Sequence, residues 1–199
     1  MNVSFDARVM SSAGKKVGRL QGIVVDPDAR IVSHVVVRTG RLVSCDRLVP
    51  FVDIARCGDD LVELEAGANP RECPTVNDVR LEPLIDQPAA ESSSDDPGRH
   101  NLRAAIWYPL YGMMAYVRPV RRVIRSNLPE RSEELLSSSP VRTPADCDVA
   151  QIAGVVAASS GAITHVIATA EAPLQLQRIP IEGVEEIGQD GVVLRDQID

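Results

Sequence analysis

The chain has 199 residues, enough for one medium domain or two small ones, and its 44% hydrophobic and 25% charged content is that of a soluble globular protein. A formal net charge of −7 disfavours non-specific binding to nucleic-acid phosphates, so no nucleic-acid partner is expected. No stretch approaches the roughly 20 apolar residues of a membrane-spanning helix, and Met1-Asn2-Val3-Ser4-Phe5-Asp6 lacks the basic start and apolar core of a secretory signal; the expected location is cytoplasmic.

In chain order, the β-branched runs Val17 to Val25 and Ile31 to Val37 read as strands, separated by the turn residues Pro27-Asp28-Ala29. Short strands follow at Leu48 to Val52 and Leu61 to Glu65, with Gly58-Asp59-Asp60 as a turn between them. Gly22 lies inside a strand, where glycine marks a bulge or a bend. Pro50 stands near a strand start, where its missing N–H does least harm. Four or more short strands with tight turns predict a small β-barrel over residues 1–86, since closure removes exposed sheet edges.

Gln87 to His100 reads QPAAESSSDDPGRH, a polar linker without apolar period. Residues 104–117 then carry Trp107, Tyr108, Tyr111 and Tyr116, the only Trp and all three Tyr of the chain. Pro109 and Gly112 interrupt this segment, and Arg118, Arg121, Arg122 and Arg125 follow it. Trp and Tyr offer large apolar area with a polar tip, and both are enriched at contact hot spots. Trp107, Tyr108, Tyr111, Tyr116, Arg118, Arg121 and Arg122 are therefore the candidate partner-binding residues. The competing reading is that the aromatic arm completes the core of a barrel or a seam between barrels. Asn127, Pro129 and Glu130 carry the signature of a helix start, with a capping side chain, Pro in the first turn and Glu three residues after the cap, predicting a short helix through Leu136.

From residue 137 onward the sequence repeats itself. Val9, Ala13, Val17, Gly22 and Val24 match Val141, Ala145, Val149, Gly154 and Val156 at a constant offset. One residue drops out near Pro27, and Ser33-His34-Val35-Val36 then faces Thr164-His165-Val166-Ile167. Arg47-Leu48 faces Arg178-Ile179. After a second single deletion, Pro50, Ile54, Gly58, Asp60, Val62 and Leu64 meet Pro180, Val184, Gly188, Asp190, Val192 and Leu194. The reading is a mainly β protein of two small barrels related by internal duplication, residues 1–86 and 137–199, joined by a helical or irregular segment, 87–136. A domain of about sixty residues buries only about 60% of its unfolded surface, so the two are expected to pack on each other or on a second chain.

The run Val17-Gly18-x-Leu20-x-x-Ile23-Val24-Val25-Asp26, followed by Val32-Ser33-His34-Val35-Val36-Val37 and Leu48-Val49-Pro50, resembles the PRC-barrel family. That family includes the cytoplasmic domain of the photosynthetic reaction-centre H subunit and the C-terminal domain of a ribosome maturation factor. Ile163-Thr164-His165-Val166-Ile167 and Ile179-Pro180-Ile181 resemble it in the second half, and Leu128-Pro129-Glu130 before Pro140-Val141 is similar to the lead-in of tandem bacterial members. The second half departs from the pattern at Ala157-Ala158 and at Glu171-Ala172-Pro173. The resemblance implies small barrels that dock onto larger assemblies, and it implies no catalytic residues.

The chemistry legible in the residues is sparse. His34 and His165 share one repeat position, which argues for architecture, an imidazole satisfied by a local hydrogen bond, over a ligand or pH-sensing role. Cys45, Cys57, Cys73 and Cys147 form no CxxC pair and read as reduced thiols; no metal or cofactor is expected. Asp26-Pro27-Asp28 is a turn without the remaining spaced oxygens of a calcium loop, and Gly14-Lys15-Lys16 lacks the frame of a phosphate loop. No serine lies in a nucleophile-elbow setting. The expected function is a non-catalytic interaction or adaptor module, bound to a protein partner or to itself. The alternative is a peripheral membrane or electron-transfer accessory like the H subunit, its aromatic arm and arginines touching an anionic membrane surface.

Overall fold

The computed structural model describes residues 1–40, 44–58, 60–83, 120–170, 175–188 and 190–195. It divides into one unit of Met1–Asn77 with Ser126–Asp199, and a second of Asp78–Arg125. In the second unit, β8 (Asn77–Pro83) and β9 (Val120–Ser126) form a two-stranded sheet.

The larger unit contains two seven-stranded sheets. One is built mainly from the first half of the chain: β2 (Arg8–Met10), β3 (Lys16–Asp26), β4 (Ile31–Thr39), β5 (Cys45–Pro50), β6 (Ile54–Cys57) and β7 (Leu61–Leu64). The other uses β11 (Pro140–Arg142), β12 (Asp148–Ala157), β13 (Ile163–Ala170), β14 (Gln175–Pro180), β15 (Val184–Gly188) and β16 (Gly191–Leu194). The strand orders are β5-β4-β3-β2-β7-β6 and β14-β13-β12-β11-β16-β15, the same path strand for strand. In each, a single parallel pair, β2 with β7 and β11 with β16, joins otherwise antiparallel ladders. Among the described residues neither sheet closes on itself, so two open sheets stand where the strand pattern predicted closed barrels.

Each sheet is completed by a strand from the other half. The strand β1 (Asn2–Ser4) pairs with β12 as Asn2↔Val156, Val3↔Val155 and Ser4↔Gly154. The strand β10 (Glu133–Leu136) pairs with β3 as Glu134↔Val24, Leu135↔Ile23 and Leu136↔Gly22. Val3 and Leu135 are both fully buried and sit in one continuous core with Leu20, Ile23, Val35, Ile152, Val155 and Val166. Burial of such a side chain contributes about 1.5–3 kcal/mol, so each exchanged strand is held by its central residue. A further reciprocal contact joins the halves where Ile31 bridges Ala162: the Val32 amide donates to the Gly161 carbonyl, and the Ile163 amide to the Arg30 carbonyl, both at 2.9 Å. The Arg30 guanidinium crosses to the Ile181 and Val184 carbonyls at 3.0 and 3.1 Å.

Several expectations are corrected here. Residues 127–136 are not a helix. The Asn127 side chain, read as a cap, donates to the Thr75 carbonyl at 2.8 Å, and the Ser132 amide closes a turn on the Pro129 carbonyl. This turn leads into β10, which pairs with β3 and buries Leu135. Pro50 and Pro180 end their strands rather than begin them, and each precedes a 3-10 turn, Phe51–Asp53 and Ile181–Gly183. The strand β6 had no signal of its own in the reading. The second deletion lies before β5 and β14: Leu48 pairs with Val36 as Arg178 pairs with Ile167, so Leu48 corresponds to Arg178 and not to Ile179. Gly22 and Gly154 do mark bulges, at the register shifts Leu20/Gly22 and Ile152/Gly154.

Candidate interaction site

Of the candidate binding residues, Trp107, Tyr108, Tyr111, Tyr116 and Arg118 lie outside the described residues. Arg121 and Arg122 lie on β9, where Arg122 is exposed.

The first half carries a groove of about 610 Å³ lined by His34, Pro50, Asp53, Glu65, Glu72 and Cys73, among others. Its outer wall, residues 66–76, has no counterpart among the described residues of the second half. The imidazole of His34 reaches into this region, and its Nδ1 is buried without a hydrogen-bond partner among the described residues. At His165, the corresponding position, Nδ1 lies 3.1 Å from Thr164 Oγ1. The expected local hydrogen bond is therefore made by Nδ1 of His165 and, among the described residues, not by Nδ1 of His34. Burial holds the His34 imidazole below its ordinary range, and burial, assisted by the Asp53 carboxylate, pushes the Cys73 thiol up. A neutral imidazole beside a protonated thiol is the opposite of an activated thiolate–imidazolium pair. Among the described residues no group of three or more His, Cys, Asp or Glu is placed to hold a metal ion, and all four cysteines are free.

The state of His34 has a pH consequence. Because burial disfavours its charged form, the unfolded chain takes up the proton first as pH falls below 6.5, and stability is lost from there down to the lowered folded value. We expect His34→Gln to flatten the acid side of the stability profile; melts between about pH 7.5 and pH 5 with an unchanged slope would refute this.

The same segment, 66–76, also covers a sheet edge. Thr75 bridges Arg47 antiparallel; the Leu48 amide donates to the Pro74 carbonyl and the Val76 amide to the Asp46 carbonyl, each at 2.9 Å. The Arg47 guanidinium secures the crossing by donating to the Cys73 carbonyl at 2.8 Å. Val76 and Leu128 then roof the outward residues Val24, Val36 and Leu48 as a second apolar layer. Among the described residues the second half has no such cover. Its edge strand β14 exposes Gln175, Leu176, Gln177 and Arg178, and Leu176 is 72% exposed. By the ladder pattern of β5, the Arg178 amide and the Leu176 carbonyl point outward from the sheet, and among the described residues nothing pairs with them. Arg178 stands where the first half has the buried Leu48, so this edge is polar where its counterpart is apolar.

With this geometry in place, the comparisons with known proteins are narrow. A PRC-barrel domain is found at residues 5–68, a span that ends inside the segment covering the β5 edge. No curated protein matches the chain. No helix among the described residues is long and apolar enough to cross a membrane.

Proposed function

We propose that the chain is a non-catalytic interaction module made of two PRC-type domains that arose by internal duplication, and that it acts by accepting an added strand on β14. What supports the duplication is correspondence in detail. Val3 meets Val155 as Leu135 meets Ile23, and both correspondences continue the constant offset that relates Val9 to Val141. The bridge between Ile31 and Ala162 joins two corresponding residues, as expected on a local two-fold axis.

The observation that carries the functional reading is the bare β14 edge beside its covered counterpart. An unpaired edge presents a row of free backbone donors and acceptors that another strand can complete. The β5 edge meets this need with Pro74–Val76 of the same chain; among the described residues nothing does so for β14. The experiment uses that covering segment as a probe. A peptide of residues 70–78, with Cys73→Ser, is titrated at millimolar concentration into the isotope-labelled full chain. The Leu176, Gln177 and Arg178 amide resonances should move. Movement confined to other strands, or none, would reject β14 as the binding edge.

A further inference from the structure

We infer that β14 pairs with β14 of a second copy of this chain, antiparallel about a two-fold axis at Gln177, with Leu176 of one copy opposite Arg178 of the other. This deepens the reading of β14 as an accepting edge by committing to its occupant.

The geometry comes from the covered edge. There the occupant supplies a carbonyl at Pro74, which accepts from the Leu48 amide, and an amide two residues on at Val76, which donates to the Asp46 carbonyl. The corresponding positions on β14 are the Arg178 amide and the Leu176 carbonyl. An occupant must therefore offer a carbonyl and, two residues later, an amide, on a strand running antiparallel. β14 offers that set itself, at Leu176 and Arg178, so the strand is complementary to its own two-fold image. The Arg178 amide would donate to the Leu176 carbonyl of the second copy, and the reverse bond follows by symmetry.

The side chains agree with this register. β14 carries a single charge, that of Arg178, so no like charges fall directly opposite one another. Each Arg178 lies across from a Leu176, and its aliphatic stem can cover an isobutyl group that is 72% exposed in the single chain. Gln177 meets its own copy on the axis, where the two amides can exchange a hydrogen bond. Pro180, at the end of the strand, lacks the donor that would extend pairing further, which limits the contact to a short stretch. A contact this small predicts a weak, reversible dimer.

Sedimentation velocity of the full chain from micromolar to millimolar concentration tests this, with amide exchange at Leu176 and Arg178 followed over the same range. The expected result is a concentration-dependent dimer in which those two amides become protected. Arg178→Pro deletes the outward amide proton, which is unpaired among the described residues, and should raise the dissociation constant at least about tenfold. Leu176→Lys sets like charges across the axis and should do the same; it keeps the test intact if the proline variant does not fold. A strictly monomeric wild type at millimolar concentration overturns the inference, as does a dimer that survives both substitutions. A monomer whose β14 still binds the 70–78 peptide removes only the second copy as occupant. A wild type that neither dimerises nor binds the peptide removes the accepting edge as well.

Discussion

Leu135→Ala is expected to destabilise the first half of the chain, although Leu135 lies far beyond it in sequence. Its side chain is fully buried and its strand pairs with β3 through Ile23. Truncating a buried leucine removes its transfer free energy and leaves a cavity, at a cost of about 2–5 kcal/mol. Thermal melting should register this as a fall of roughly 2–4 °C for each kcal/mol. The location of the damage is the more informative reading. Cys57, on β6, is partly buried and has its thiol pushed up to about 11 by that burial, so it reacts slowly with thiol reagents and faster when the first half opens. Its labelling, located by mass spectrometry, should accelerate in Leu135→Ala. If labelling is unchanged while the second half loosens, the exchanged strand does not couple the halves as described.

The second large effect is expected from Gly154→Ala, and its size should differ from that of the corresponding Gly22→Ala. At Gly154 an added Cβ meets the Val3 carbonyl oxygen, and it lies 2.9 Å from the Ser4 Cα. Both atoms are backbone of β1, so the incoming strand itself must move. At Gly22 the nearest atoms are Glu134 Oε1 at 3.0 Å and Leu136 Cδ2 at 3.1 Å, the ends of flexible side chains, with the Leu135 carbonyl at 3.2 Å. Forced overpacking costs about 1–3 kcal/mol, and the part of that cost relieved by side-chain rotation is available only at Gly22. Gly154→Ala should therefore melt clearly lower and lose amide protection along Asn2–Ser4, while Gly22→Ala stays near the wild type. Equal melting temperatures for the two variants would contradict the close backbone approach at Gly154.

The strands of this protein were legible because their signal is local. The β-branched runs around Ile23 and Val35 specify strands whatever they pack against, and the turn residues between them set the lengths. The likeness of the two sheets could be read at the level of single residues, because matching strands bury the same apolar types; the placement of one gap was off, by the single residue that separates Leu48 from Val49. The bulges at Gly22 and Gly154 were signalled by glycine within an apolar run, although their cause, the close passage of a strand from the other half, was not. The helix predicted from Asn127 failed because capping chemistry is local and the burial of Leu135 is not: packing into a core assembled from the other end of the chain outweighed the propensity of the segment. The exchange of β1 and β10, the unsatisfied His34 Nδ1 and the β14 edge left unpaired among the described residues have no local sign at all. Each depends on which segment lies alongside which strand: Leu135 beside Ile23, Pro74–Val76 beside β5, and no described segment beside β14. A chain of alternating apolar residues determines that strands form and which of their faces turns inward; only the assembled sheets decide which edges find a partner, because edge pairing is made by backbone groups that every residue carries alike.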